Sequence, residues 1–412
     1  MPEAWIIDAV RTPRGLGKVG KGALADQHPQ IIGAAVLKAL AERNSLTTAD
    51  VDDIIWGTSR QVGTQGGDLG RMAALDAGYD IHSSGVTLDR YCGSGITAVN
   101  LAAASVMSGF EDCMIAGGTE LMSSYGTNKV EGGGFFIDAG NEHLRALWPQ
   151  PNQGVAADAI ATLEGIPRRA LDELAESSQA RAATAIAEGR FDKSLVPVYD
   201  PEGNLLLDKE EYPRPGTTAD KLAQLSPSFE GIADIALNAD GLTFRKMIAQ
   251  QYPDLKIEHV HHAGNSSGVV DGAAAILITS PEYARSHGLT PRARIVAAAN
   301  MGDDPTLMLN APVPAAKKVL AKAGMALDQI DLFEVNEAFA VVPEKFIRDL
   351  DLDRDKVNVN GGAMALGHPI GATGAMLIGT VLDELERQDK QFGLVTMCAA
   401  GGMAPAVIIE RI

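Results

Sequence analysis

Two stretches of the chain, one near each end, carry the same order of apolar and polar positions. In the first, apolar residues at helical spacing from Ile31 to Ala41 lead through Leu46 and an acid-rich turn into the apolar run Ile54-Ile55-Trp56. In the second, Ala315 to Ala323 has the same helical spacing, and the chain passes Leu327 and Asp331 into Leu332-Phe333-Glu334-Val335. Apolar residues recurring every three to four positions predict a helix with one buried stripe, and a short continuous apolar run predicts a strand buried on both faces. Each stretch continues into a glycine-rich turn and a helix of small residues: Cys92-Gly93-Ser94-Gly95 before Ile96 to Met107, and Gly361 to Pro369 before Gly374 to Leu385. Each then has an apolar strand running into Ala-Gly-Gly or its like, Cys113 to Gly118 and Leu394 to Gly402. Helices and strands alternating in this way predict two similar α/β halves built on mostly parallel sheets.

The pattern breaks between them. From about Met122 to Val260 the chain is richer in charge and irregular, with Gly132-Gly133-Gly134, a charged helix from Arg168 to Gly189 and a stretch through Pro213 and Pro215. A long excursion of this kind predicts an insertion that covers the site of an α/β scaffold and binds substrate.

Bulk properties narrow the function classes. A chain of 412 residues, 46% hydrophobic and 21% charged, is long enough for two or three domains and reads as globular. Its 44 glycines and 5% aromatic content favour close-packed helices and tight turns. With 35 Lys and Arg against 53 Asp and Glu, the net charge of −18 argues against a nucleic-acid or anionic-membrane surface. An anionic substrate would need a local basic patch working against that field. The three cysteines are an odd number, and the start Met1-Pro2-Glu3-Ala4-Trp5 has no leader pattern. No apolar run reaches the roughly 18 residues of a membrane span. A reducing cytoplasm with free thiols is therefore expected.

The chemistry concentrates on three glycine-flanked turns, each of which has a bland alternative. Cys92 sits between a predicted strand and a helix, where the helix dipole and free N–H groups favour a thiolate, though a buried structural cysteine fits the position too. Gly93, Gly95 and Ala98 also match a dinucleotide-binding spacing, but the next strand ends in Ala116-Gly117-Gly118 without the acidic residue that motif requires. His368 lies on a glycine-dense turn poorly suited to core packing, with Pro369 holding its backbone extended. Cys398 ends an apolar strand beside Gly401-Gly402, as expected of a site at a sheet's carboxyl edge or of a core cysteine. Asn336 follows the strand Leu332 to Val335 and could hold a water, support an oxyanion or cap a helix. His259, His261 and His262 have no thiol close in sequence, and His259 and His261 alternate as strand neighbours, so no metal site is expected. Two thiols and an imidazole on exposed turns make a set for covalent catalysis on a thioester.

At this point the residues resemble a family from end to end. Val10-Arg11-Thr12-Pro13, Leu88 to Gly95, Asn336-Glu337-Ala338-Phe339, and Asn360-Gly361-Gly362-Ala363 through Gly367-His368-Pro369-Ile370-Gly371 look like the signatures of the thiolases, acyl-CoA acyltransferases. The resemblance implies a five-layered α-β-α-β-α fold of two duplicated βαβαβαββ halves plus a loop domain. The halves would span 1–121 with about 270–291, and 292–412, with the loop domain at 122–269. It implies Cys92 as acyl-accepting nucleophile, His368 as its base and Cys398 as the acid/base toward the acetyl-CoA carbanion. One oxyanion site would use His368 and a water on Asn336, the other the backbone N–H of Cys92 and Ala400. Coenzyme A, a co-substrate with no bound cofactor beside it, would meet Ser267, Phe229 and Arg214.

The flavour is that of degradative 3-ketoacyl-CoA thiolases, similar to β-subunits of bacterial fatty-acid oxidation complexes. That implies a homodimer or homotetramer and raises a hydratase/dehydrogenase partner subunit. Departures fall near the substrate: Gln153-Gly154-Val155-Ala156, Ala400 in place of a family glycine, and Leu309 and Ala311 after Met308, which puts Met308 in the acyl pocket. The rival readings are a biosynthetic acetoacetyl-CoA thiolase, a ketosynthase, which would want a second histidine where Cys398 stands, and a non-catalytic acyl-CoA-binding protein.

Overall fold

The computed structural model describes residues 2–126 and 137–412, so the triple glycine at 132–134 lies outside the described residues. Nine strands form the backbone of one sheet: β1 (Trp5–Arg11), β2 (Asp53–Gly57), β3 (Val86–Leu88), β4 (Cys113–Leu121), β5 (Val270–Thr279), β6 (Ala293–Gly302), β7 (Leu332–Val335), β8 (Phe392–Thr396) and β9 (Met403–Arg411). They lie in the order β7-β8-β9-β6-β1-β5-β4-β2-β3, and the two-residue strand Gly15–Leu16 pairs with β5 off this path.

The repeat read from the sequence recurs in the pairing. Strand β1 meets β6 only through Trp5 with Arg294 and Ile6 with Ala293. On one side of that seam β1 is antiparallel to β5, β5 antiparallel to β4, and β4 parallel to β2. On the other side β6, β9, β8 and β7 repeat those three relations in the same sequence. The parallel pairing of β3 on β2 has its counterpart in a single bridge between Phe333 and Val357. The expectation of mostly parallel sheets is corrected here, because only β2/β3, β2/β4 and β7/β8 run parallel. The turn Met397–Gly402 is too short for the crossover that parallel strands require, so β9 returns antiparallel to β8; in the first half β5 is also antiparallel to β4, although the long segment 122–269 separates them.

Eight of the helices carry labels: α1 (Pro29–Arg43), α2 (Leu69–Asp76), α3 (Ser94–Ser108), α4 (Gln153–Leu163), α5 (Arg168–Ala187), α6 (Pro312–Ala323), α7 (Val341–Asp349) and α8 (Ile370–Arg387). Helices α1 and α2 cover the first half, and α6 and α7 lie on the second. Helices α3 and α8 pack on each other and on strands of both halves, which makes the layers helix, strand, helix, strand, helix. Their shared core runs through Ile96, Val99, Ala102, Met376, Ile378 and Leu382, all nearly or fully buried. Side chains of α4 and α5, including Val155, Ile160 and Leu171, join the core of the second half beside Val341 and Phe346.

The two central helices touch backbone to backbone. A Cβ placed on Gly374 would lie 2.1 Å from the Ile96 nitrogen, and one on Gly95 would lie 2.9 Å from the nitrogens of Gly374 and Ala375. At the strand ends, a Cβ on Gly118 would lie 2.1 Å from the Gly371 carbonyl oxygen, and one on Gly57 2.7 Å from the same atom. Small residues let the first turns of α3 and α8 sit together at the carboxyl ends of β2 and β4. Gly374→Ala is therefore expected to force α3 and α8 apart, costing about 1–3 kcal/mol of stability and most of the activity. Thermal melts beside turnover measure this, and wild-type values for both would refute the contact's importance.

Candidate active site

Cys92 stands at the crest of the turn between β3 and α3. Tyr91 before it is held at φ 49°, a left-handed conformation that costs a residue with a Cβ, of the kind that collects at functional turns. Ser94 locks the turn, donating through Oγ to the Tyr91 carbonyl at 2.7 Å and accepting the Arg90 N–H at 2.8 Å. A Cβ on Gly93 would come 2.9 Å from Pro405 Cδ, so the turn rests on β9 of the opposite half. That contact sets Cys92 beside the turn between β8 and β9 that carries Cys398. Cys92 is 6% exposed and Cys398 1%.

His368 precedes α8, and its backbone N–H donates to Gly268 at 2.9 Å. Its Nδ1 lies 2.6 Å from Thr373 Oγ1, while the Thr373 hydroxyl spends its one proton on the Pro369 carbonyl at 3.0 Å. The hydroxyl can then only accept from the ring, which assigns the proton to Nδ1 and leaves a lone pair on Nε2. Asn336 Nδ2 approaches that Nε2 at 3.3 Å, and Asn336 Oδ1 is buried without a partner. Asn336 is not a helix cap, because α7 begins only at Val341; its own N–H donates to Thr396, tying the ends of β7 and β8 together.

Cys398 lies in a tight loop closed by two hydrogen bonds between Ala399 and Met403, of 2.7 and 3.1 Å. Gly401 and Gly402 take the positive φ values, 78° and 73°, so Ala400 is spared the conformation that would disfavour a Cβ. Neither the Cys92 nor the Ala400 N–H donates to a backbone carbonyl among the described residues.

Burial sets the resting charges. It pushes the Cys92 thiol up to about 12, helped by the carboxylates of Glu120 and Asp89. Burial thus opposes the thiolate that the helix end was expected to favour. Burial also raises Cys398, and the neighbouring Cys92 adds to the effect, which places the two sulfurs within mutual influence. Burial, then the nearby Arg14 guanidinium, lowers His368 to about 3. The resting pair is thus thiol and neutral imidazole, with the base form of His368 available throughout the neutral range.

The residues expected to meet coenzyme A have separate surroundings. Ser267 is half-buried, donates its N–H to Ala338 at 3.0 Å and adjoins Gly268, the acceptor for His368. Phe229 packs edge-on against Phe339 at 5.7 Å, and Gly154 on α4 leaves the space its ring needs. Arg214 is exposed and its guanidinium stacks over Tyr212 at 5.2 Å. Met308 is fully buried at φ 66°, inside the second half's core.

The three histidines find carboxylates distant in sequence: His259 and His261 share Asp158, each at 2.7 Å, and His262 meets Asp172 at 2.8 Å. No group of three or more potential metal ligands occurs among the described residues. Sequence reasoning missed Thr373, Arg14 and Glu120. A charged residue inside the buried and otherwise uncharged strand β4 was the available signal for Glu120, and nothing local marked Thr373.

The chain belongs to the thiolase family: the model of the thiolase N-terminal domain matches residues 4–236 and that of the C-terminal domain residues 289–411. It is 39% identical to a beta-ketoadipyl-CoA thiolase of Acinetobacter baylyi, with all of both chains covered. It is 37% identical to a 3-ketoacyl-CoA thiolase of Salmonella choleraesuis, again over the whole of both. The crystal structure of the Bacillus anthracis acetyl-CoA acetyltransferase superposes with a TM-score of 0.84 at 33% identity, covering 100% of this chain and 99% of that one. The protein is accordingly an acyltransferase that uses coenzyme A as a substrate.

Because the folded chain holds the His368 proton affinity far below the unfolded value of 6.5, the unfolded state binds the extra proton. His368 therefore withdraws stability as pH falls through the window from about 6.5 toward about 3. His368→Gln is expected to flatten the stability–pH curve across that window in urea titrations. An unchanged slope would show that His368 is not held neutral.

Proposed function

We propose that this thiolase works in the degradative direction, cleaving a 3-ketoacyl-CoA with coenzyme A to acetyl-CoA and a shortened acyl-CoA. The observation that carries this reading is the junction of the Cys92 turn, the His368–Asn336 pair and the Cys398 loop at one place between the two halves. The names of the relatives from Acinetobacter baylyi and Salmonella choleraesuis support the degradative direction.

In the proposed mechanism, His368 Nε2 takes the Cys92 proton as the sulfur attacks the 3-keto carbon. The C2–C3 bond then breaks, leaving the acyl group as a thioester on Cys92 and the electron pair on the acetyl-CoA enolate. Cys398 protonates that carbanion. Coenzyme A next gives its thiol proton to the Cys398 thiolate and attacks the acyl group, and Cys92 leaves with the proton held by His368. The Nδ1–H bond to Thr373 fixes the tautomer this requires. His368 and Asn336 serve the enolate oxygen, and the N–H groups of Cys92 and Ala400 the tetrahedral oxyanion. Each such donor is worth about 3 kcal/mol.

Ser267, Phe229 and Arg214 are read as the coenzyme A contacts and Met308 as part of the acyl wall. The halves and the loop domain keep the boundaries 1–121 with about 270–291, 292–412 and 122–269. Three free cysteines suit a reducing compartment such as the cytoplasm, and no described helix is long and apolar enough to cross a membrane. The assembly is read as a homodimer or homotetramer. Its support is the open edge of β3, where Val86 is 45% and nearby Ile81 76% exposed. A light-scattering mass of one chain would contradict that assembly.

The likeness to an acetyl-CoA acetyltransferase favours a second reading, synthesis of acetoacetyl-CoA by the same residues in reverse. A chain-length series of 3-ketoacyl-CoA substrates, run in both directions on the purified protein, separates the two. The degradative reading expects turnover to extend beyond acetoacetyl-CoA and Cys92→Ala to abolish it. Thiolysis by Cys92→Ala at wild-type rate would sink the mechanism, and turnover confined to acetoacetyl-CoA would favour the second reading.

A further inference from the structure

The carboxylate of Glu120, on β4, is a polar group in an apolar strand, fully buried and touching none of the groups assigned to substrate. Its Oε2 accepts the N–H of Ser59 at 2.8 Å and the N–H of Gly371 at 2.8 Å. Its Oε1 accepts from Tyr125 at 2.8 Å, Gln65 at 2.9 Å and Thr58 at 3.3 Å. Both partners of Oε2 are obligate donors, which favours the ionised carboxylate although burial pushes Glu120 upward.

The bond to Gly371 crosses from one half to the other. Gly371 lies in the first turn of α8, three residues after His368, and the Pro369 cap of that helix supplies no side-chain acceptor. Glu120 therefore does from a distance what a capping side chain does locally: it satisfies a free N–H and faces the positive end of an eighteen-residue helix. The same carboxylate influences the Cys92 thiol. One side chain thus touches the backbone that carries the imidazole and bears electrostatically on the sulfur.

We propose that Glu120 is a positioning residue that registers the His368 turn of one half against the Cys92 turn of the other. It acts through the backbone of the His368 turn, and its charge adds to the burial that holds the Cys92 thiol protonated. The proposal rests on the reading of Cys92 and His368 as nucleophile and base. The charged and titratable groups facing Cys92 are Glu120 on β4, Asp89 on the approach to the turn, Cys398 on the opposite loop and Tyr125 beyond Glu120. Arg60 stacks on Tyr125 at 4.8 Å, and Arg14 faces His368.

The test is Glu120→Gln, compared with wild type in kcat and KM on acetoacetyl-CoA and in the pH profile of Cys92 alkylation by iodoacetamide, read by peptide mass. The Gln amide would set its own N–H groups against donors and lose the negative charge. A misplaced His368 turn is expected to lower kcat about 100-fold with KM little changed. Removing the charge is expected to move the alkylation midpoint about one pH unit lower. Glu120→Asp keeps the charge and loses the reach, so it should lower kcat while leaving the alkylation midpoint near that of wild type.

A Glu120→Gln protein with wild-type kcat, or one with reduced melting temperature but an unmoved alkylation profile, overturns the proposal. If that variant does not fold, Tyr125→Phe decides. It strips one donor from the same carboxylate, favours its neutral form and should move the Cys92 profile lower, and no movement overturns the proposal. Alkylation does not depend on turnover, so a failure of the nucleophile assignment would show separately, as thiolysis surviving Cys92→Ala.

Discussion

The contact between α3 and α8 is made of backbone, and the rest of the site depends on it. Two helices whose side chains kept them at the usual separation would hold the turns that carry Cys92 and His368 farther apart. Gly95, Gly374, Gly371, Gly118 and Gly57 remove the Cβ atoms that would enforce that separation. Neither half could supply this alone: β2, β4 and α3 come from one and α8 from the other. The duplicated topology brings two like turns to one place, and the glycines let them close on each other.

That closeness has an electrostatic consequence. Cys92, Cys398 and His368 are all buried, so desolvation holds the sulfurs protonated and the imidazole neutral. Reactivity then comes from geometry. The His368 lone pair is fixed by Thr373, the N–H groups of Cys92 and Ala400 donate to no backbone carbonyl among the described residues, and Asn336 Oδ1 offers an unmet acceptor. A low-dielectric site of this kind strengthens each such interaction once charge appears in the reaction.

Much of this was legible in the chain. The apolar periodicities at 31–41 and 315–323 placed α1 and α6, and the matching glycine turns exposed the duplication before any strand pairing was known. The sheet's direction was not legible. Periodicity marks that a strand is buried but not which way it runs, and only the short Met397–Gly402 turn betrays the antiparallel return of β9. The candidate turns stood out because sulfur and imidazole beside glycine are locally conspicuous. The burial of Cys92 was not legible, because a helix end is a local feature while burial comes from residues distant in sequence. Glu120 and Thr373 escaped notice for that reason as well: their roles exist only across contacts between residues far apart in sequence or around a helix turn.

The central claim is that Cys92 carries the acyl group between the two half-reactions while His368 and Cys398 move the protons. The direct measurement is the intact mass of the protein after exposure to a 3-ketoacyl-CoA with no free coenzyme A, followed by mapping of the modified peptide. The account predicts one acyl group per chain, on Cys92, that disappears when coenzyme A is added. Substrate cleavage with no adduct, or an adduct that maps to Cys398, would contradict it.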